Sequence, residues 1–495
     1  MNRRFILRNI LCSGLFISVF PTIGKTAEQP NVLLFMIDDM KPLMGCYGDQ
    51  LAKTPNIDEL ASRGALFERA ACQISLCAPS RASVLSGLRP DTIECYVNGD
   101  KFRKTCPDTV TLPQAFERAG YHTVSIGKVY DARNRDPGGW SEEMMLSSEK
   151  DIYALDENDQ LYHDNTERYN AASNEERQHL WRVGPAYEAA DLDESKYWDG
   201  QVAEKAIDTM RRIKDKPFFM AVGFIKPHLP FACPQKYWDL YDRSEILLPP
   251  NPDKPTEGVV EMAYHDGFEL RQYDGIPHNG KLSEDLSRTL IHGYYACASF
   301  ADAMVGRVLE ELEVQGLIDN TIIVLMGDHG WHLGDKEIWC KFTAFQQSSV
   351  VPLVVVDPRR DGGERVRGMV ELVDIYPTLC ELAGVTPADG IEGRSFVPLL
   401  SDFSKPWKKA VFAEAGRGGG WKEIIGTSMR TDRYNYVEWR HRTKGTLRAQ
   451  ELYDLRKDPL EMKNLAGNPE YKKQVERLAK QMQAGWRGAL PEVSE

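Results

Sequence analysis

Asn31-Val32-Leu33-Leu34-Phe35-Met36-Ile37-Asp38-Asp39 decides the fold. An apolar run without alternation is how a strand buried on both faces reads, and such strands belong to parallel sheets. The run ends in two adjacent carboxylates, at the strand end where open α/β sheets collect their ligands. Neighbouring carboxylates repel each other unless a cation lies between them; the plainer reading is a solvated turn or an acidic cap for the next helix. Outward from this strand, Tyr121–Gly127 predicts a second strand delivering Lys128, and Pro217–Phe224 a third delivering Lys226-Pro227-His228. Thr321–Met326 predicts a fourth, delivering Gly327-Asp328-His329, and Pro352–Val356 a fifth. Helical spacing appears in Thr54–Ala61, from Tyr197 through Met210, from Leu286 to Leu312, at Val373–Leu379 and from Pro469 to Trp486. Residues 131–196 are polar and without period, which predicts irregular surface insertions near the cleft. After Leu400 the composition shifts to short strands around Ile424–Thr431 and Arg433–Val437, preceded by a Gly416–Gly420 loop, either a linker or a cover for the cleft. The pattern is α/β, with Asp38, Asp39 and Asp328 converging at strand ends.

A chain of 495 residues with 42% hydrophobic content can bury a sizeable core. The 61 Lys and Arg against 73 Asp and Glu leave a net charge of −12, so there is no basic surplus to displace phosphate counterions. Nucleic acid is thereby excluded as a general partner. A polyanionic substrate would have to be drawn by a local pocket of Lys and Arg. Arg3-Arg4 followed by the short apolar run Ile10–Phe20 and small residues near Gly24 and Ala27 reads as an export signal over residues 1–27. The run is too short to cross a bilayer comfortably, and no later stretch is apolar and long enough, so a periplasmic or secreted protein with no membrane span is expected. Cys12 falls in that signal, leaving Cys46, Cys72, Cys95, Cys106, Cys233, Cys297, Cys340 and Cys380 besides Cys77. Their spacings do not suit a zinc ribbon, and their pairing is open.

Cys77-Ala78-Pro79-Ser80-Arg81-Ala82-Ser83-Val84-Leu85-Ser86-Gly87 holds the candidate nucleophile. A cysteine opening a helix, with proline inside the first turn, sits among unpaired N–H groups that attract anions, and Arg81 adds a fixed charge one turn on. An inert buried thiol is the plain alternative. Cys-x-Pro-Ser-Arg continuing into Ala-Ser-x-Leu-Ser-Gly resembles the signature of the type I, formylglycine-dependent sulfatases. Gly127-Lys128-Val129-Tyr130, Lys226-Pro227-His228, Asp328-His329-Gly330 and Trp339-Cys340-Lys341 place the resemblance nearest the iduronate-2-sulfatase group. The ending, Glu451–Leu455 and Asp458–Leu465, resembles that of many sulfatases.

The resemblance implies an alkaline-phosphatase-like mixed sheet sandwiched by helices over residues 28–402, and a small C-terminal α+β subdomain with an antiparallel sheet over 403–495. It implies that Cys77 is oxidised to formylglycine, with a formylglycine-generating or equivalent maturase and the export machinery as partners. It assigns Asp38, Asp39, Asp328, His329 and side chain 77 to a divalent metal, Ca2+ ahead of Mg2+, and the hard oxygen ligands favour either of these over zinc. Lys128 and Lys341 would neutralise the sulfuryl oxygens, Arg81 would hold the nucleophile, and His228 would protonate the leaving oxygen. Lys226 and His332 are candidate substrate contacts. Asp131 stands where the family carries a histidine that deprotonates the formylglycine diol, and its carboxylate is expected to take over as base. The implied partner is a sulfated glycan, with a uronate 2-sulfate as first guess. Two rivals stand beside this reading. One is a phosphonate or phosphate monoester hydrolase of the same superfamily. The other, motivated by the missing histidine, is a non-catalytic sulfated-glycan binding protein.

Overall fold

The computed structural model describes residues 29–146 and 152–492. The export-signal reading of residues 1–27 lies outside the described residues. The quoted run forms β1 (Asn31–Ile37), with every residue buried. Ala65–Phe67 (β2), His122–Gly127 (β3), Phe218–Phe224 (β4), Thr321–Gly327 (β5), Leu353–Val356 (β6) and Glu364–Val366 (β7) complete a seven-stranded sheet in the order β7-β2-β6-β5-β1-β4-β3. The pairs β1–β5, β1–β4 and β3–β4 are parallel, while β6 runs antiparallel to both β5 and β2, so the sheet is mixed.

Side-chain alternation along β1 divides the core in two. Leu33, Phe35 and Ile37 pack against one helix layer, Trp198–Ile213 and the 31-residue Glu284–Val314, through Val202, Ala206, Met210, Tyr294 and Val305. Val32, Leu34 and Met36 face the other layer, Cys77–Ser86 (α1) and Ile375–Ala383, through Val84, Leu85, Ile375 and Leu379. Burial on both faces is why these strands read as unbroken apolar runs.

The polar stretch, expected to be irregular, holds a helix. Asp156–Ala171 (α2) is a 16-residue helix in the polar stretch, and Asn165 is its one buried residue. It carries no apolar stripe, so periodicity had nothing to detect. Asn165 Nδ2 docks it by donating to the Val183 carbonyl at 2.9 Å.

The chain then forms a four-stranded antiparallel sheet, β8 (Val411–Arg417), β9 (Ile424–Arg430), β10 (Tyr434–His441) and β11 (Leu447–Asp454). The helix Lys472–Gly488 covers one face of it, packing Leu478 with Phe412, Met429, Tyr436 and Leu452. The glycine-rich stretch begins inside β8. Beyond it Trp421 packs on Phe268, a residue lining the cleft, at 4.8 Å between ring centroids.

A buried charge cluster fastens β8 to residues 371–374, where the Phe412 N–H donates to Glu371 Oε1 at 3.0 Å. Lys408 Nζ lies 2.6 Å from Glu371 and 2.7 Å from Asp374, and Arg89 grips Glu371 through both terminal nitrogens. Burial would lift the Glu371 pKa, but the Arg89 and Lys408 charges hold it down to about 2. Removing one partner from such a set strands a buried charge. Lys408→Met is therefore expected to cost roughly 3–5 kcal/mol, read as a fall in the denaturant midpoint at unchanged slope.

Candidate active site

The strand registers bring the functional residues together. Ile37 lies opposite both Gly327 and Phe224, and Gly127 opposite Gly223, so the residues just past β1, β3, β4 and β5 share one sheet edge. Gly127 and Gly223 allow this close approach. A Cβ on Gly127, at φ +73°, would meet the Gly223 carbonyl oxygen at 2.2 Å, and one on Gly223 would meet the Lys128 backbone.

α1 points its N-terminus at that edge. Leu76, its N-cap, gives no side-chain cap. Ala78 N–H donates to Asn98 Oδ1 at 3.0 Å. The segment leading into Cys77 is held by a bridge between Ile74 and Glu414 of β8. Cys77 is buried, with Sγ 3.2 Å from His329 Nε2. Burial, then the Asp38 charge, pushes its thiol well above the ordinary range, so as a plain cysteine it is a poor nucleophile.

Asp38, Asp39, Asp328 and His329 are all fully buried. Ligand atoms of Asp38, Cys77, Asp328 and His329 lie within 4.8 Å of one another, and so do those of Asp38, Asp39, Cys77 and His228. Asp328 Oδ1 accepts the backbone N–H groups of Asp39 and His329. His329 Nδ1 is 3.1 Å from the Gly330 carbonyl. A proton on Nδ1 satisfies that contact and leaves Nε2 as a bare donor atom facing Asp39 Oδ1 at 3.4 Å and Asp328 Oδ1 at 3.5 Å. The donor set thus fits a divalent cation: three buried carboxylates and one oriented imidazole. Burial raises the Asp328 pKa, as does the Asp38 charge beside it, which is the repulsion a cation would relieve.

The cations of the chain are shared among these carboxylates. Arg81 is fully buried, with Nε 2.8 Å from Asp328 Oδ2, Nη2 3.4 Å from Asp38 Oδ1 and Nη1 donating to the Lys128 carbonyl. These bonds set the two carboxylates in place. Lys128 Nζ bonds Asp38. Burial opposes the Asp38 charge, but Lys128 and Arg81 outweigh it and hold that carboxyl well below the usual range. Lys341 Nζ is 2.8 Å from Asp39 Oδ1 and 3.2 Å from Glu269 Oε2, over the Trp331 ring.

His228 is brought in at the cleft floor. Its Nδ1 lies 2.5 Å from the Leu229 carbonyl, and Nε2 is 2.9 Å from Glu269 and 3.7 Å from Asp39. Burial disfavours the imidazolium, but Asp39 and then Glu269 raise the pKa above its ordinary value.

Three sequence-based candidates are held by protein partners. Lys226 is buried, and its Nζ donates to the Pro230 and His228 carbonyls at 2.8 and 3.4 Å, so it braces the loop that carries His228. His332 is fully buried between Asp335 (2.6 Å) and Thr343 (2.9 Å). Asp131 is no base. Both its oxygens accept from Arg133, at 2.8 and 2.9 Å, and although burial raises its pKa, Arg133 and then Lys128 bring it down to about 2.

Sequence reasoning missed Glu269, Asn98 and Tyr294. Glu269 joins His228 to Lys341 from an irregular segment. Tyr294, on the long helix assigned only core packing, donates its hydroxyl to the Asp39 carbonyl at 2.8 Å. No local motif surrounds any of them.

All nine described cysteines are free thiols, and no helix among the described residues is long and apolar enough to cross a membrane.

The chain resembles known proteins over most of its length. A family model described as Sulfatase matches residues 30–385, and one described as N-sulphoglucosamine sulphohydrolase, C-terminal, matches residues 327–487. Iduronate 2-sulfatase of Mus musculus is 31% identical, covering 90% of this chain and 93% of its own. A sulfatase of Formosa agariphila is 28% identical over 96% of this chain and 90% of its own. Among solved structures, phosphonate monoester hydrolase of Agrobacterium radiobacter superposes with a TM-score of 0.74 at 25% identity, covering 92% of this chain and 95% of its own.

Proposed function

The chain belongs to the sulfatase family, and from that premise we propose that it removes O-sulfate from a sulfated carbohydrate, with residue 77 as formylglycine beside a divalent cation. It is an enzyme, a sulfuric ester hydrolase. The observation that carries the finer reading is the meeting of Cys77, two lysines and His228 around three carboxylates at the N-terminus of α1. Similarity to iduronate 2-sulfatase supports a uronate 2-sulfate as substrate.

Asp38, Asp39, Asp328 and His329 would hold the cation, Ca2+ ahead of Mg2+, with side chain 77 at its edge. Bound there, it would supply Lewis-acid polarisation of a sulfuryl oxygen. Formylglycine would supply a hydrated aldehyde as oxygen nucleophile in place of an unreactive thiol. The chain does the rest. Arg81 fixes Asp38 and Asp328, and Lys128 and Lys341 oppose the charge that builds on the sulfuryl oxygens, already aligned before substrate arrives. His228, as imidazolium, gives its Nε2 proton to the departing sugar oxygen. Glu269 holds that ring in place until the substrate takes the contact.

Residues 28–402 would form the catalytic unit and 403–495 the C-terminal subdomain, and export directed by residues 1–27 would put the enzyme in the periplasm or outside the cell. A maturase would install the formylglycine.

The likeness to phosphonate monoester hydrolase supports a second reading, cleavage of phosphonate esters at the same site. Mature exported protein assayed on matched sulfate and phosphonate esters decides between them: faster sulfate release supports the proposal, and a preference for phosphonate overturns it. Chelation tests the metal. Exhaustive treatment is expected to abolish turnover and lower the melting temperature, since a cation at about a hundred times its Kd contributes about 2.7 kcal/mol, and added Ca2+ should restore both.

A further inference from the structure

The departure at position 131 has its own structural meaning. Arg133 follows two residues later, and Asp131 holds it three ways: the Arg133 backbone N–H and Nε both donate to Oδ1, and Nη2 donates to Oδ2. The carboxylate is buried, while the Arg133 side chain is 59% exposed. This fixes one edge of the guanidinium and leaves Nη1 without a protein acceptor among the described residues. Arg133 lines the cleft of about 300 Å3 whose other walls include Leu76, Asn98, His228 and Glu269. Leu76 precedes the nucleophile and His228 stands on the leaving-group side of the proposed reaction, so a sugar whose ester meets residue 77 would extend into this cavity.

Arg182 lines the same cavity. Its backbone N–H is bonded to the Gln272 carbonyl at 2.9 Å, and its guanidinium lies 6.0 Å from the Tyr169 ring centroid of α2. It has no carboxylate partner among the described residues. Two arginines with uncommitted N–H groups share one cleft with a single carboxylate, Glu269, which is itself paired with His228 and Lys341, in a chain of net charge −12. The guanidinium fork matches the geometry of carboxylate and sulfate oxygens.

We propose that Arg133, set in place by Asp131, and Arg182 form a second anion subsite, which takes a carboxylate or a second sulfate carried by the substrate sugar beside the ester being cleaved. Asp131 is then a positioning residue. This inference rests on the sulfatase reading and names what the same site selects.

The test measures kcat/KM of mature exported protein on two matched pairs: a hexuronoside 2-sulfate against its carboxyl methyl ester, and a hexoside disulfate against the monosulfate. In at least one pair the more anionic member is expected to be favoured about tenfold or more. Whichever pair shows the preference identifies the anion. Arg133→Ala and Arg182→Ala should each reduce that ratio about tenfold, and Asp131→Asn should reduce it in part, with Asp131→Glu recovering it. Arg182 is exposed, so its variant tests the subsite even where an Asp131 variant folds poorly. Sulfate release with ratios near one in both pairs overturns the subsite alone, as do ratios that survive in both arginine variants. Absence of release from every ester, 4-nitrophenyl sulfate included, overturns the sulfatase reading and the subsite with it.

Discussion

Cys77→Ala is expected to abolish sulfate release, by about six orders of magnitude, while leaving the fold intact. The alanine keeps the backbone of α1 and loses a side chain whose one contact of note is with His329. Removing a nucleophile that acts as a unit with its partners costs about as much as removing all of them. Thermal melting should be little changed, because Ala is a good helix former and the lost atom is small. Mass spectrometry of the wild-type tryptic peptide spanning position 77 provides the companion measurement: a carbonyl in place of the thiol is expected. A thiol in protein that turns over sulfate esters would refute the formylglycine proposal outright.

His228→Ala is expected to lower kcat by roughly two to four orders of magnitude on a sugar sulfate. The loss should shrink on 4-nitrophenyl sulfate, whose phenolate leaves without a donated proton. That difference separates proton donation from mere loss of packing. The pH profile gives the sign. Asp39 and Glu269 raise the His228 pKa against the effect of burial, so the imidazolium persists to higher pH than in a free histidine. Activity that needs this proton is present below that pKa and lost as pH rises through it. The alkaline limb of kcat should vanish in His228→Ala; a limb that stays in place would show that another group carries the proton.

The strand ends were legible because β1, β4 and β5 are buried on both faces and write themselves as apolar runs, so the residue after each run falls at the ligand-binding edge. Cys77 and Arg81 were legible as a motif. Direction was not. Lys226 sits two residues from His228 yet turns to backbone carbonyls, and His332 is absorbed by Asp335 one turn on, satisfactions that no spacing announces. Asp131 drew attention as a substitution, but its partner Arg133 gives it a meaning that only the bidentate pairing reveals. Glu269 was silent because the segment carrying it is irregular and its place comes from packing alone.

α2 has a consequence for how this enzyme can change. Its Tyr162 lines the cleft, yet the helix buries a single residue and shares nothing with the two cores flanking the sheet. Substitutions on such an exposed element each cost within about 0.5 kcal/mol. Selection can therefore repaint this wall of the substrate cleft step by step without spending the stability that holds the catalytic edge, and new specificities can drift in while the chemistry stays fixed.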